Sequence, residues 1–105
     1  DELEGNLRGN RPHRVDANQK SIVRALREIP GVSVFETHMV GSGFPDICIG
    51  YKGRTVLIEL KATSKDKLTL PEQNFHVYWT GEVYVCSTLG SVLDCINPRM
   101  KGIRK

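Results

Sequence analysis

The sequence predicts an α/β fold in which a central mixed sheet is flanked by helices. Three amphipathic or capped helical segments and four short β-rich segments follow one another in the order αβββαβα. The strand–helix–strand unit over 54–86 predicts a right-handed crossover, which makes its two strands parallel. The 105 residues, 39% hydrophobic and 26% charged, fit a single domain. We place that domain at 16–96, between an N-terminal tail (1–15) and a basic C-terminal tail (97–105).

The first helix and strand are indicated by periodicity. Asp16 can cap a helix over 16–29, in which apolar residues recur every three or four positions until Pro30-Gly31 ends it. Gln19 falls on the core-facing side of this helix, where a polar side chain needs a partner. Residues 32–37 are β-branched and aromatic, which is typical of a strand.

A hairpin follows a glycine-containing loop at residues 39–43. Residues 47–49 and 55–61 are predicted strands, and the turn between them is centred on Lys52-Gly53. In a two-residue hairpin of this kind, Asp46 pairs with Glu59 across the ladder.

The second half of the chain completes the sheet. Thr69 and Glu72 form a capping-box pattern with Pro71 in the first turn, which opens a helix that includes Trp79 and ends by Gly81. Residues 82–86 alternate like a strand, and Ser87 or Thr88 can cap a last helix over 91–96.

Composition excludes several classes of protein. No apolar stretch is long enough to span a membrane, and the N-terminus lacks the pattern of a signal peptide. Three widely spaced cysteines without a CxxC indicate reduced thiols, and the three histidines lack metal-binding spacing and fit surface or cap positions. We therefore expect a cytoplasmic protein.

The net charge of +3 is compatible with a polyanionic partner but does not require one. The basic residues fit either a surface that contacts phosphates or an ordinary solvated surface. The candidate nucleic-acid contacts are Lys20, Arg24, Lys65 and Lys67, with Arg27 and the basic tail alongside them.

The third strand contains a carboxylate where a buried central strand is expected. Glu59 interrupts an apolar run, and a spacing of two places Lys61 on the same face. A buried carboxylate is costly unless it is paired or bound to a metal. A Glu59–Lys61 ion pair is one solution. The adjacent Asp46 favours another, a shared Mg²⁺ or Mn²⁺.

These groups suit hydrolysis of a phosphodiester. A cation held by Asp46, Glu59 and the Leu60 carbonyl would polarise a phosphate oxygen and lower the pKa of a bound water. Lys61 would orient that water, or deprotonate it if the site lowers the lysine pKa, and would stabilise the transition state. Candidate supporting residues, each also explicable as a cap or a surface residue, are Gln73, Gln19, Asp16, Asn18 and Ser42.

Pro45-Asp46 with Glu59-Leu60-Lys61 resembles the signature of the PD-(D/E)xK nuclease superfamily, whose restriction-endonuclease-like core has this element order. Over 16–96 the chain resembles its virus-type replication-repair nuclease (VRR-NUC) branch. The wider match consists of Asn18-Gln19, Gly41-Ser42-Gly43-Phe44-Pro45-Asp46 and Leu68-Thr69-Leu70-Pro71-Glu72-Gln73.

The resemblance implies metal binding by Asp46 and Glu59, a catalytic lysine at Lys61 and a supporting glutamine at Gln73. Many relatives carry a glutamate in the first helix, where this chain has Asp16, Asn18 or Gln19.

Small stand-alone members of this family resemble Holliday-junction resolvases of bacteria and phages. The implied function is a Mg²⁺- or Mn²⁺-dependent, structure-selective DNA endonuclease of DNA repair, which cuts branched substrates such as four-way junctions in a bacterial or phage-infected cell. A single-site chain of this size needs a homodimer to make paired cuts. The alternatives are a nickase, flap or restriction-like nuclease, or a nucleic-acid-binding module without turnover.

Overall fold

The structure, a computed structural model, describes residues 17–97. The predicted tails, apart from Asn97, and the predicted cap Asp16 lie outside this range. Within it the chain forms the predicted order αβββαβα. The helices are α1 (Ala17–Arg27), α2 (Leu70–Tyr78) and α3 (Leu89–Ile96). The strands are β1 (Val32–Glu36), β2 (Ile47–Tyr51), β3 (Arg54–Leu60) and β4 (Glu82–Cys86).

The four strands form one mixed sheet in the order β1-β2-β3-β4. The first two pairings are antiparallel, and β3 pairs with β4 in parallel, as the crossover predicts. Lys52 and Gly53 have φ angles of 50° and 80° in the hairpin turn, the conformation that matches the twist of the flanking strands. The register pairs Tyr51 with Arg54 and Ile47 with Ile58, which confirms the predicted hairpin up to the residue beside Asp46.

Both later helices follow a predicted cap residue, although α3 begins at Leu89, two residues before the predicted start at Ser91. Thr69 and Glu72 form a reciprocal capping box at α2, and Thr88 and Ser91 form one at α3. The second helix ends earlier than expected, because Trp79 is an extended C-cap residue (φ −74°, ψ 125°) rather than a helical one. No helix among residues 17–97 is long and apolar enough to cross a membrane.

The core lies on one face of the sheet, between the strands and helices α1 and α3. Its buried side chains come from three sources. They are Ile22, Val23 and Leu26 of α1, Val92 and Ile96 of α3, and Val34, Ile47, Ile49, Val56, Ile58 and Cys86 of the sheet. The helices therefore fix the sheet on this side, and the opposite side is left for other contacts.

The opposite face of the sheet carries Phe35, Leu57, Glu59 and Val85, because paired and alternate residues share a face. Leu57 and Glu59 are buried, but Phe35 is 77% exposed and Val85 is 45% exposed. No residue of α2 is buried. This face is thus incompletely covered within the described chain.

Candidate active site

Two carboxylates meet where the hairpin strands begin and end. Asp46 donates its backbone N–H to the Ile58 carbonyl (3.0 Å), and its Oδ2 accepts the Leu60 N–H (2.8 Å). The carbonyl of Asp46 accepts the N–H of Thr37 (2.7 Å). Asp46 is therefore held between β1 and β3, and the continued register places it opposite Glu59.

Glu59 is the more strongly perturbed of the two acids. Its side chain is 4% exposed, and Oε1 has no hydrogen-bond partner among the described residues. Burial, together with the charge of Asp46 and their mutual hydrogen bond, raises the pKa of Glu59 to about 9. Burial also raises the pKa of Asp46, although the hydrogen bond from Leu60 opposes that shift. The buried Glu59 beside the partly buried Asp46 thus retains a proton unless a cation replaces it.

Lys61 completes the cluster. Its closest partner is Glu72, for which the sequence pattern indicated only a role in a helix cap. Its Nζ lies 2.8 Å from Oε1 of Glu72 and 3.8 Å from Oε2 of Glu59. Burial alone would lower the pKa of Lys61, but the hydrogen bond to Glu72 and the surrounding acidic charges raise it above its ordinary value. The lysine is therefore held as an ammonium, not in the neutral form that a general base needs.

Glu72 has two functions in this geometry. Its Oε1 accepts both the Thr69 N–H at the start of α2 and the Lys61 ammonium, each at 2.8 Å. Burial opposes its ionisation, but the Lys61 hydrogen bond and the Thr69 N–H lower its pKa overall. The capping-box pattern was the only feature of the sequence that indicated a role for Glu72. It did not show that the Glu72 carboxylate also contacts Lys61, directly after the end of β3.

A cavity of about 350 Å³ opens beside these groups. The loop between β1 and β2 forms one wall, and the start of α2 forms the other. Gly43 has φ +82°, and a Cβ there would overlap the carbonyl of Pro71, so only glycine allows the loop to pack this closely on α2. The lining residues are His38, Gly41, Ser42, Gly43, Phe44, Asp46, Thr69, Pro71 and Glu72.

The structure brings only some of the predicted supporting residues to this cavity. Ser42 lines it, in a left-handed conformation (φ 58°). Gln73 is not in its lining, and instead donates its amide to the Leu68 carbonyl (3.0 Å). Asn18 donates to the carbonyl of Ser87 (3.3 Å), and the buried Gln19 contacts Glu36 and His38.

The predicted nucleic-acid contacts lie in two places. Lys20 and Arg24 are exposed and line a groove of about 360 Å³, together with Arg27 and Glu36. Arg27 is partly engaged, since it donates to the Val34 carbonyl (3.1 Å). The other two predicted contacts, Lys65 and Lys67, are exposed in the loop that leads into α2.

Comparison with protein-family models, curated proteins and solved structures found no match for this chain. The resemblance drawn from the motifs therefore remains a prediction.

The carboxylates of the cluster are candidate ligands for a divalent cation. Among residues 17–97 no group of three or more His, Cys, Asp and Glu side chains is arranged to hold a metal ion. The pair Asp46 and Glu59, with the unpartnered Oε1 of Glu59, nevertheless fits Mg²⁺, which commonly takes one or two protein carboxylates and completes its shell with waters and substrate phosphate. Mn²⁺ accepts the same oxygen ligands.

Proposed function

We propose that the protein is a Mg²⁺- or Mn²⁺-dependent endonuclease with a PD-(D/E)xK core, and that it hydrolyses phosphodiester bonds of branched DNA as resolvases do. The observation that supports the proposal best is the Asp46–Glu59 pair, in which Glu59 is buried beside the Lys61 ammonium and Asp46 lines a cavity. A solely structural Glu59–Lys61 ion pair does not explain this arrangement. Lys61 lies closer to Glu72, and one oxygen of Glu59 has no hydrogen-bond partner in the described part of the chain.

The residues of the cluster have separate tasks in the proposed reaction. A divalent cation, when bound, supplies Lewis-acid activation of the phosphate and of water. Asp46 and Glu59 would hold that cation, with the Leu60 carbonyl as the predicted third ligand. Lys61, kept protonated by Glu72, would stabilise negative charge that develops on the phosphate in the transition state.

The positions of the basic residues support DNA as the substrate. Glu36 lines the groove that contains Lys20 and Arg24. It also contacts Gln19, which in turn contacts His38 at the cavity. We propose that the phosphate backbone of the substrate lies in that groove. Contacts of this kind recognise backbone and shape rather than base sequence, and their affinity falls as salt rises.

The test is cleavage of a labelled four-way DNA junction and of a linear duplex with matching sequence. We expect wild-type protein to cut the junction in Mg²⁺ or Mn²⁺ but not in EDTA. Asp46→Asn should lower the rate at least about a hundredfold, because one charged ligand is lost. Asp66→Asn is the matched control, since Asp66 is an exposed acid of the loop before α2.

Three other outcomes would each contradict a different part of the proposal. Equal cutting of both DNAs would leave a nuclease without selectivity for branches, such as a nickase or a restriction-like enzyme. Binding without cutting in either metal would favour the nucleic-acid-binding module. Cutting by Asp46→Asn at the wild-type rate would remove the proposed site.

We further propose that the working form is a homodimer formed through the incompletely covered sheet face. That face exposes Phe35 and Val85, and a single-site chain needs a twofold partner to make paired cuts. Sedimentation velocity at micromolar concentration should show a dimer for wild-type protein and a monomer for Phe35→Glu. Val40→Glu, at an exposed apolar position of the cavity loop, should remain dimeric. A monomeric wild-type protein would contradict the proposal.

A further inference from the structure

His38 occupies a wall of the cavity where the sequence indicated only a surface or cap histidine. It lies two residues after the end of β1 and lines the cavity with Ser42, Asp46 and Glu72. The other titratable side chains that line the cavity, Asp46 and Glu72, are acidic, and the nearby Lys61 is engaged by Glu72. A hydrogen-bond donor on the wall formed by the loop would therefore help to bind a phosphodiester that enters the cavity.

Contacts from the core side indicate how the ring of His38 is oriented. Nε2 of Gln19 lies 3.4 Å from Oε1 of Glu36 and 3.5 Å from Nδ1 of His38. A carboxylate only accepts hydrogen bonds, so the amide group of Gln19 that faces Glu36 must be its NH₂. The same nitrogen faces His38, where it can only donate, so Nδ1 of His38 accepts. The proton of the neutral ring then lies on Nε2.

The burial of Gln19 indicates that its contacts with Glu36 and His38 have a structural role. Gln19 is 6% exposed on the core side of α1, where a polar side chain is costly unless it is hydrogen-bonded. Its amide joins the end of β1 to the cavity loop. Among residues 17–97 the hydrogen-bond contact of the His38 ring is made through Nδ1, and the Nε2 atom is left for a ligand.

We propose that His38 is a phosphate-binding residue of the candidate site, and that Gln19 and Glu36 position its ring so that Nε2–H donates to a non-bridging oxygen of the substrate. This inference rests on the proposed function, because it names a further contact to the same phosphodiester. It adds a hydrogen-bond donor to a site that is otherwise dominated by carboxylates.

Two substitutions at His38 separate the roles of its nitrogens. Glutamine can place an amide N–H near the position of Nε2, whereas asparagine reaches only about as far as Nδ1. We expect His38→Asn to lower kcat/KM for junction cleavage by about tenfold to a hundredfold, the range for loss of one hydrogen bond to a charged group. His38→Gln should retain activity within about threefold of wild type, and Mn²⁺ affinity measured by calorimetry should be unchanged in both variants.

The positioning role of Gln19 has a readout that does not need turnover. Nitrogen-15 NMR of the imidazole should show the Nε2–H tautomer of His38 in the wild-type protein. Gln19→Met, which keeps the side-chain length on the core side but removes the donor, should shift the ring toward a mixture of tautomers. A wild-type ring with its proton on Nδ1, or one that Gln19→Met leaves unaltered, would overturn the proposed orientation.

Failure of this inference differs from failure of the proposed function. If wild-type protein cuts the junction and His38→Asn cuts it equally well, His38 does not bind the phosphate. If wild-type protein cuts no DNA, the endonuclease proposal fails. In that case, the affinities of wild type and His38→Asn for the same junction in Ca²⁺, measured by fluorescence polarisation, test whether His38 contacts the phosphate. Equal affinities for wild type and His38→Asn would overturn the phosphate contact.

Discussion

Glu59→Gln is expected to abolish metal-dependent cleavage and, at the same time, to stabilise the metal-free protein at alkaline pH. The glutamine keeps the size of the side chain but removes a ligand charge that the proposed reaction needs. In the folded protein the pKa of Glu59 is raised from 4.5 to about 9, so the folded state holds a proton that the unfolded state has lost. The stability associated with that proton is complete below pH 4.5 and is lost as pH rises through about 9.

Urea unfolding of both proteins in EDTA, at pH values between 5 and 9, measures this effect. The free energy of unfolding of wild-type protein should fall by up to about 1.4 kcal/mol per pH unit in this window, and the slope should be much smaller in Glu59→Gln. Glu28→Gln is the control, because Glu28 is exposed and forms no ion pair with the described residues. Equal slopes in wild type and Glu59→Gln would show that Glu59 ionises freely in the folded protein.

Adding Mg²⁺ should reverse the alkaline loss of stability in wild-type protein alone. A cation that binds the folded state, but not the unfolded one, stabilises it by mass action and takes the place of the proton. In Glu59→Gln the same addition should raise the unfolding midpoint much less. A midpoint that does not respond to Mg²⁺ or Mn²⁺ in wild-type protein would count against the fit of the Asp46–Glu59 pair to a divalent cation.

The hairpin shows how much of the site could be predicted from sequence. Lys52-Gly53 selects a two-residue turn, and such a turn determines the register of every pair behind it. The adjacency of Asp46 and Glu59 follows from that local geometry. The burial of Glu59 follows as well, since the apolar run around it marks β3 as a central strand.

The rest of the site depends on packing between distant segments, which no local pattern encodes. Glu72 reaches Lys61 because the α2 N-terminus packs against Gly43, and this contact joins two loops separated by the whole of β2 and β3. His38 reaches the cavity through the same loop. Gln73 follows Glu72 directly, but the turn of the helix directs its amide to Leu68 instead.

Lys61→Met is expected to lower the cleavage rate by about a hundredfold to a thousandfold, with metal affinity retained. The ammonium is held by Glu72 at 2.8 Å and lies beside Glu59, where it can stabilise charge on a bound phosphate. Loss of one preorganised group of this kind has an effect of that size. Single-turnover cleavage of the junction measures the rate, and calorimetry with Mn²⁺ measures the affinity. Lys52→Gln is the matched control, because Lys52 lies in the turn at the far end of the hairpin.

A double variant distinguishes a direct role of Lys61 from a structural one. If Lys61 serves only to neutralise Glu72, then Lys61→Met/Glu72→Gln removes both charges and should regain most of the lost activity. If Lys61 acts on the phosphate, the double variant should remain as slow as Lys61→Met, so that Glu72→Gln does not restore activity once the ammonium is gone. We expect the second result. The two neighbouring carboxylates keep Lys61 charged, so its ammonium is available to stabilise negative charge that develops on a bound phosphate.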